Sequence, residues 1–95
     1  ALDLDPAATG ERHPSLIHVS ITPFGLDGPY ARFRATPMIS AALGGYMYIG
    51  GSPDRQPLAN LSPQPDCMAG LHGFVGAMAA LRHRDSSGRG QHVEI

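Results

Sequence analysis

Apolar residues recur at helical spacing between Asp66 and Arg84, and this segment is the clearest element in the sequence. An apolar residue returns every three or four positions, which places the side chains on one face of an α-helix. Asp66 can cap the helix start, and the basic last turn faces the negative end of the helix dipole. The pattern predicts a helix over 66–84 with Asp66 as its N-cap and with an apolar stripe made of Met68, Leu71, Val75, Met78 and Leu81.

The opposite face of the same helix carries small side chains. These are Ala69, Gly73, Gly76, Ala77 and Ala80. Glycine lowers helix propensity, so a row of small residues makes sense where another backbone must come close. The row therefore predicts close packing of this face against a partner.

The rest of the chain shows shorter patterns separated by loops rich in glycine and proline. They predict a helix over 5–12, a strand over 16–21, a helix over 37–48, a long connection over 50–65, a turn over 86–90 and a strand over 91–95. Two short strands do not make a self-sufficient parallel sheet, which needs helices on both faces. The 95 residues are thus predicted to be a single partial domain, 1–95, of a larger α/β protein with the order helix, strand, helix, helix, strand.

Composition and charge exclude several function classes. The net charge is −1 and the seven Lys and Arg residues, all of them Arg, are scattered, so no basic stripe for nucleic acid is present. The nearly apolar run 67–81 is shorter than the about 20 residues that span a bilayer. One cysteine and a first segment without a secretory signal pattern predict a cytoplasmic protein with no membrane segment.

Metal and cofactor motifs are not found in the sequence. The five histidines lack the spacing of zinc ligands, and neither glycine pair fits a dinucleotide fingerprint. Cys67 lies in an apolar helix and is interpreted as a small core residue. We therefore expect no metal site and no permanently bound cofactor.

Asp66 is the candidate for chemistry. A helix N-terminus offers free backbone N–H groups and a partial positive charge, which keep a carboxylate ionised and favour an oxyanion beside it. Those are conditions that a carboxylate nucleophile needs. Spacing alone leaves two roles open for Asp66, a structural N-cap and a nucleophile.

A series of motifs from His13 onward favours the role of nucleophile for Asp66 over that of a structural cap. They are HVSITPFG at 18–25, GPY at 28–30, ALGG at 42–45, GSPD at 51–54, Asp66 with Ala69-Gly70, and SGRGQHVE at 87–94. Together they resemble family III CoA-transferases, the family of formyl-CoA transferase, carnitine CoA-transferase and α-methylacyl-CoA racemase. The ending SGRGQHVE, about twenty residues after the aspartate, is the most specific part.

The resemblance implies a fragment of a larger Rossmann-like CoA-transferase domain, with the catalytic aspartate at Asp66. In such transferases this residue forms an acyl-aspartyl anhydride and then an aspartyl-CoA thioester, and the acceptor acid reverses the steps. The implied substrates are a coenzyme A thioester and a small carboxylic acid, with Arg34 where a basic residue contacts CoA. The family also implies an interlocked homodimer, and the isolated 95 residues are expected to be inactive.

Two alternatives stay open beside the transferase. Racemases of the family pair the aspartate with a histidine, and Thr36 occupies that position here, which argues against a racemase-like enzyme because two acid/base groups are needed. Pro23, Pro65 and the pair Thr36-Pro37 also depart from the family pattern. These departures are consistent with a degenerate, non-catalytic copy that serves as a structural interface.

Overall fold

The computed structural model describes residues 4–58 and 63–95, and it has the predicted mixed α/β composition. Its elements are α1 (Pro6–Arg12), β1 (His18–Ser20), α2 (Pro37–Leu43), α3 (Tyr46–Ile49), α4 (Gln64–Ser87) and β2 (His92–Glu94). They form two compact units: the first joins the described residues up to Thr22 with Ala69–Ile95, and the second is Pro23–Met68. Over these described ranges, no helix combines the length and the apolar character needed to cross a membrane.

The first unit is built on a parallel pair of strands. His18, Val19 and Ser20 of β1 lie opposite His92, Val93 and Glu94 of β2. Backbone pairing extends past both ends, since the N–H of Gly90 donates to Pro14 (2.8 Å) and that of Thr22 donates to Ile95 (3.1 Å). The predicted strands are confirmed in place, with cores of three residues each. Two strands do not decide whether the larger sheet is Rossmann-like, which stays a prediction.

Helix α1 begins as its sequence predicts. Asp5 is its N-cap and accepts a hydrogen bond from the backbone N–H of Ala8 at 3.1 Å. Pro6 fills the first helical position, where a missing N–H costs nothing. The helix ends at Arg12, directly before His13-Pro14.

The small-residue face of α4 packs closely, but against strands of its own chain. A methyl group added at Gly73 would lie 2.9 Å from Cδ1 of Ile21, and one at Gly76 would lie 2.7 Å from Cγ1 of Val93. Ala80 on the same face is fully buried. Close packing is therefore confirmed and its assignment to a partner is corrected, so a homodimer finds no support in this face.

The larger apolar residues of α4 lie on the outside of the first unit. Leu71, Phe74 and Val75 are each at least 60% exposed, and Met78 is 49% exposed. The face that the apolar stripe marks is thus not the face that contacts the strands. In the part of the chain that the structure describes, the buried apolar residues are Ala41 and Ala80 alone, so this part has almost no core of its own.

The second unit contains a helix that the sequence predicted as one piece and the structure divides in two. α2 ends at Leu43, and α3 begins at Tyr46 after Gly44 and Gly45. Gly45 has a φ of 78°, a left-handed conformation that suits glycine and separates the two helices. The break places Tyr46 at the first position of α3.

The loop before α2 is organised by three aromatic rings. Phe24, Tyr30 and Phe33 contact one another, with ring centroids 5.3 to 6.4 Å apart. Edge-to-face and tilted pairs at such distances are favourable beyond the area they bury. The cluster explains how a loop with two glycines and a proline is ordered without regular secondary structure.

Candidate active site

Asp66 lies in the first turn of α4 and is the third residue of the helix. The prediction that Asp66 is the N-cap is wrong, because α4 begins at Gln64, two residues earlier. The backbone N–H of Cys67 donates to the carbonyl of Pro63 at 3.0 Å and closes the first turn. Pro65 fits there because first-turn N–H groups have no partner within the helix, so its missing donor costs little.

The surroundings of Asp66 leave its carboxylate accessible. Its side chain is exposed, and it lies at the positive end of the dipole of a 24-residue helix. Pro63 and Pro65 carry no N–H, so within residues 63–66 only Gln64 and Asp66 offer backbone donors. A negative oxygen that develops at this turn would therefore be met by a small set of donors next to the carboxylate.

A side-chain hydrogen bond joins α3 to the same turn. The Oη of Tyr46 donates to Oε1 of Gln64, and the two oxygens are 2.7 Å apart. Sequence analysis missed both residues, since Gln64 fell inside a segment predicted as loop. No periodicity marks such a contact, because the two positions are 18 residues apart.

Arg34 lies on the chain segment that leads to α2, and its side chain is exposed. Within the described residues, no hydrogen bond or ion pair joins Arg34 to Asp66, so the two predicted site residues are not brought into direct contact. An exposed guanidinium is compatible with a phosphate group as its partner. Its role toward CoA stays a prediction.

Thr36 has a structural role that accounts for its departure from the racemase pattern. It is the N-cap of α2, and its Oγ1 accepts a hydrogen bond from the N–H of Ile39 at 3.3 Å. Pro37 follows at the first helical position, where proline is favoured. The pair Thr36-Pro37 therefore forms a helix start, and it supplies no acid/base group.

Cys67 does not occupy the position that the sequence indicated. The structure places this thiol on an exposed part of the first turn of α4, so its interpretation as a core residue is wrong. The apolar periodicity around it misleads because the buried face of α4 is the small-residue face. Over residues 4–58 and 63–95, His, Cys, Asp and Glu form no cluster of three that would hold a metal ion.

The chain is similar to enzymes that transfer coenzyme A. It is 40% identical over 83 residues to formyl-CoA:oxalate CoA-transferase of Streptomyces avermitilis, covering 87% of this chain and 20% of that protein. It is also 40% identical over 83 residues to succinate–glutarate CoA-transferase of Agrobacterium fabrum, covering 87% of this chain and 21% of the relative. The chain thus spans about a fifth of the length of the curated relatives it matches.

Solved structures support the same relationship. A CAIB/BAIF family protein from Brucella suis superposes with a TM-score of 0.86 at 36% identity, over 95% of this chain and 24% of that protein. The sequence model of CoA-transferase family III matches residues 1–95. The exposed aspartate at the start of a long helix, the glycine-rich motifs and these similarities lead to one conclusion: the chain belongs to CoA-transferase family III.

Proposed function

We propose that the full-length protein carrying this chain transfers coenzyme A from an acyl-CoA thioester to a small carboxylic acid, with Asp66 as the covalent nucleophile. The observation that carries the proposal is the exposed Asp66 carboxylate in the first turn of α4, within a family III segment. The names of similar proteins, a formyl-CoA:oxalate and a succinate–glutarate CoA-transferase, support small carboxylic acids as the substrate class.

In the first half of the proposed reaction, a carboxylate oxygen of Asp66 attacks the carbonyl carbon of the acyl-CoA. The carbon–sulfur bond breaks, CoA leaves as a thiolate, and a mixed anhydride joins the acyl group to Asp66. The thiolate then attacks the aspartyl carbonyl carbon of this anhydride. The donor acid leaves as a carboxylate, and Asp66 is left as a thioester of CoA.

The second half runs the same two steps with the acceptor acid. The acceptor carboxylate attacks the aspartyl thioester, which releases CoA thiolate and forms a new anhydride. The thiolate attacks the acyl carbon of the acceptor, giving the new acyl-CoA and the free carboxylate of Asp66. No proton is gained or lost overall, so the cycle needs an ionised Asp66 and no general base.

The local structure supports this role in two ways. The positive end of the α4 dipole lies where the negative charge of a tetrahedral intermediate on Asp66 would develop, and it would stabilise that charge. The exposed side chain permits the approach of a large thioester. We further propose that Arg34 contacts a phosphate of CoA and that the full-length enzyme is a cytoplasmic homodimer with a Rossmann-like large domain.

Racemisation is not proposed, because it needs a second acid/base group and Thr36 is a helix cap whose hydroxyl oxygen accepts from Ile39. A non-catalytic copy is the outcome that would overturn the proposal. Covalent trapping of Asp66 separates such a copy from a transferase.

The test combines covalent trapping with a matched pair of variants in the full-length protein. Hydroxylamine added with labelled acyl-CoA is expected to convert Asp66 into a hydroxamate that mass spectrometry detects. Asp66→Asn should abolish trapping and lower turnover by about 10³-fold or more, because the nucleophile is lost. Asp54→Asn changes another exposed acid and should leave both the trapping and the turnover unchanged. Full turnover in Asp66→Asn would show that the residue is not the nucleophile.

A further inference from the structure

The hydrogen bond between Tyr46 and Gln64 lies at a point where the proposed chemistry depends on precise positioning. Gln64 is the first residue of α4, and Asp66 follows two residues later. The bond length of 2.7 Å is typical of a well-formed hydroxyl bond to oxygen. It connects α3 to the turn that carries the nucleophile, and all three residues belong to the second unit.

The residue that precedes α4 gives the first turn of the helix no side-chain cap. The residue before the helix is Pro63, whose side chain has no oxygen to accept from the free N–H groups. Pro65 removes one more backbone donor from the same turn. Helix ends without a side-chain cap fray readily, so an external anchor has a larger effect here than at a capped helix start.

The geometry of a helix assigns different tasks to Gln64 and Asp66. Residues two positions apart are separated by about 200° around the helix axis, so their side chains lie on opposite sides of the turn. Tyr46 therefore binds the side of the turn that carries Gln64. Asp66 lies on the opposite side, where substrate can reach it. A contact on the far side can fix the orientation of the carboxylate without blocking it.

We propose that Tyr46 is a positioning residue, which acts through Gln64 to hold the first turn of α4 and with it the attacking carboxylate of Asp66. The inference rests on the proposed function of Asp66. Gly45 supports the arrangement, because its left-handed backbone starts α3 directly at Tyr46. The alternative to a positioning role is a surface hydrogen bond that has no effect on the reaction, since the bond between Tyr46 and Gln64 is exposed.

The test measures Tyr46→Phe in the full-length protein, with Tyr48→Phe as the matched control. Tyr48 lies on the same helix and is 92% exposed. Loss of one hydrogen bond that acts on positioning is expected to lower kcat and the rate of hydroxylamine trapping about three- to tenfold. The KM for acyl-CoA should change less than twofold, and Tyr48→Phe should match the unmodified enzyme.

Gln64 variants provide the second arm and keep the test valid if Tyr46→Phe does not fold. Gln64→Leu should lower the trapping rate as Tyr46→Phe does, and the double variant should lose no more than either single variant. Gln64→Glu retains an oxygen acceptor and should recover most of the rate. If the loss of trapping rate in the double variant equals the product of the two single losses, the two residues do not act together. That result would overturn the proposal.

The outcomes also separate this inference from the proposed function. If the unmodified enzyme is trapped at Asp66 and Tyr46→Phe is trapped at the same rate, only the positioning role is wrong. A raised KM with unchanged kcat would likewise contradict it. If the unmodified enzyme is not trapped at all, the nucleophile proposal fails and the positioning role falls with it.

Discussion

Replacing Gly76 by alanine tests how tightly α4 rests on the strands. The added methyl group would lie 2.7 Å from Cγ1 of Val93 and 3.6 Å from Cδ1 of Ile95, whereas optimal carbon contacts lie at about 3.5–4.0 Å. Val93 cannot rotate away freely, because a β-branched side chain has few accessible χ1 angles. The helix must therefore move outward, or the strand must shift.

The expected effect is the sum of two opposing contributions. Overpacking of this kind costs about 1–3 kcal/mol, while alanine gains about 0.8–1.0 kcal/mol over glycine in helix propensity. Gly70→Ala isolates the second contribution, because a methyl group at Gly70 meets no atom within 4 Å. The difference in unfolding free energy between the two variants should thus be about 1–3 kcal/mol, with Gly76→Ala less stable.

Urea unfolding of the full-length protein, followed by circular dichroism, measures this difference. The combination of Gly76→Ala with Val93→Ala removes the methyl group that the new side chain meets, so it should lose less stability than the two single changes add up to. Equal stability of Gly76→Ala and Gly70→Ala would show that α4 does not rest on β2 as the structure describes.

Two further changes probe other contacts of the first unit, both by the midpoint of thermal unfolding. A methyl group at Gly90 would collide with the backbone carbonyl of Leu16, so Gly90→Ala should cost about 3 kcal/mol or more, and an unchanged midpoint would contradict the parallel pairing there. Asp5→Ala removes the acceptor for the N–H of Ala8 and should cost about 0.5–2 kcal/mol. A midpoint that Asp5→Ala leaves unmoved would show that the cap is dispensable.

The sequence correctly predicted that α4 exists, but it did not predict which face of the helix is buried. Helical spacing depends only on the order of residues, so the stripe from Met68 to Leu81 was visible at once. The buried face was not, because glycine and alanine on one side allow the strands to approach more closely than large side chains would. Which face is covered depends on Val19, Ile21 and Val93, residues far away in the chain.

In the candidate site, too, local features were predicted from the sequence and contacts were not. Asp66 was found from its position before a helical pattern and from the family resemblance, yet the helix start was misplaced because Pro65 was taken to lie outside it. The contact between Tyr46 and Gln64 left no trace in the sequence, since it depends on the turn at Gly45 and on side-chain positions. Local signals predicted the elements, whereas contacts between elements depend on how distant parts of the chain pack in three dimensions.

The outward row of Leu71, Phe74 and Val75 has a consequence for how this segment must be handled during synthesis. On the nascent chain, before other residues cover it, this row is an exposed hydrophobic surface. Such surfaces bind chaperones and promote aggregation. The matched segment makes up only about a fifth of the curated relatives. Any expression plan limited to residues 1–95 should therefore be expected to yield inclusion bodies, and a solubility partner would have to shield α4.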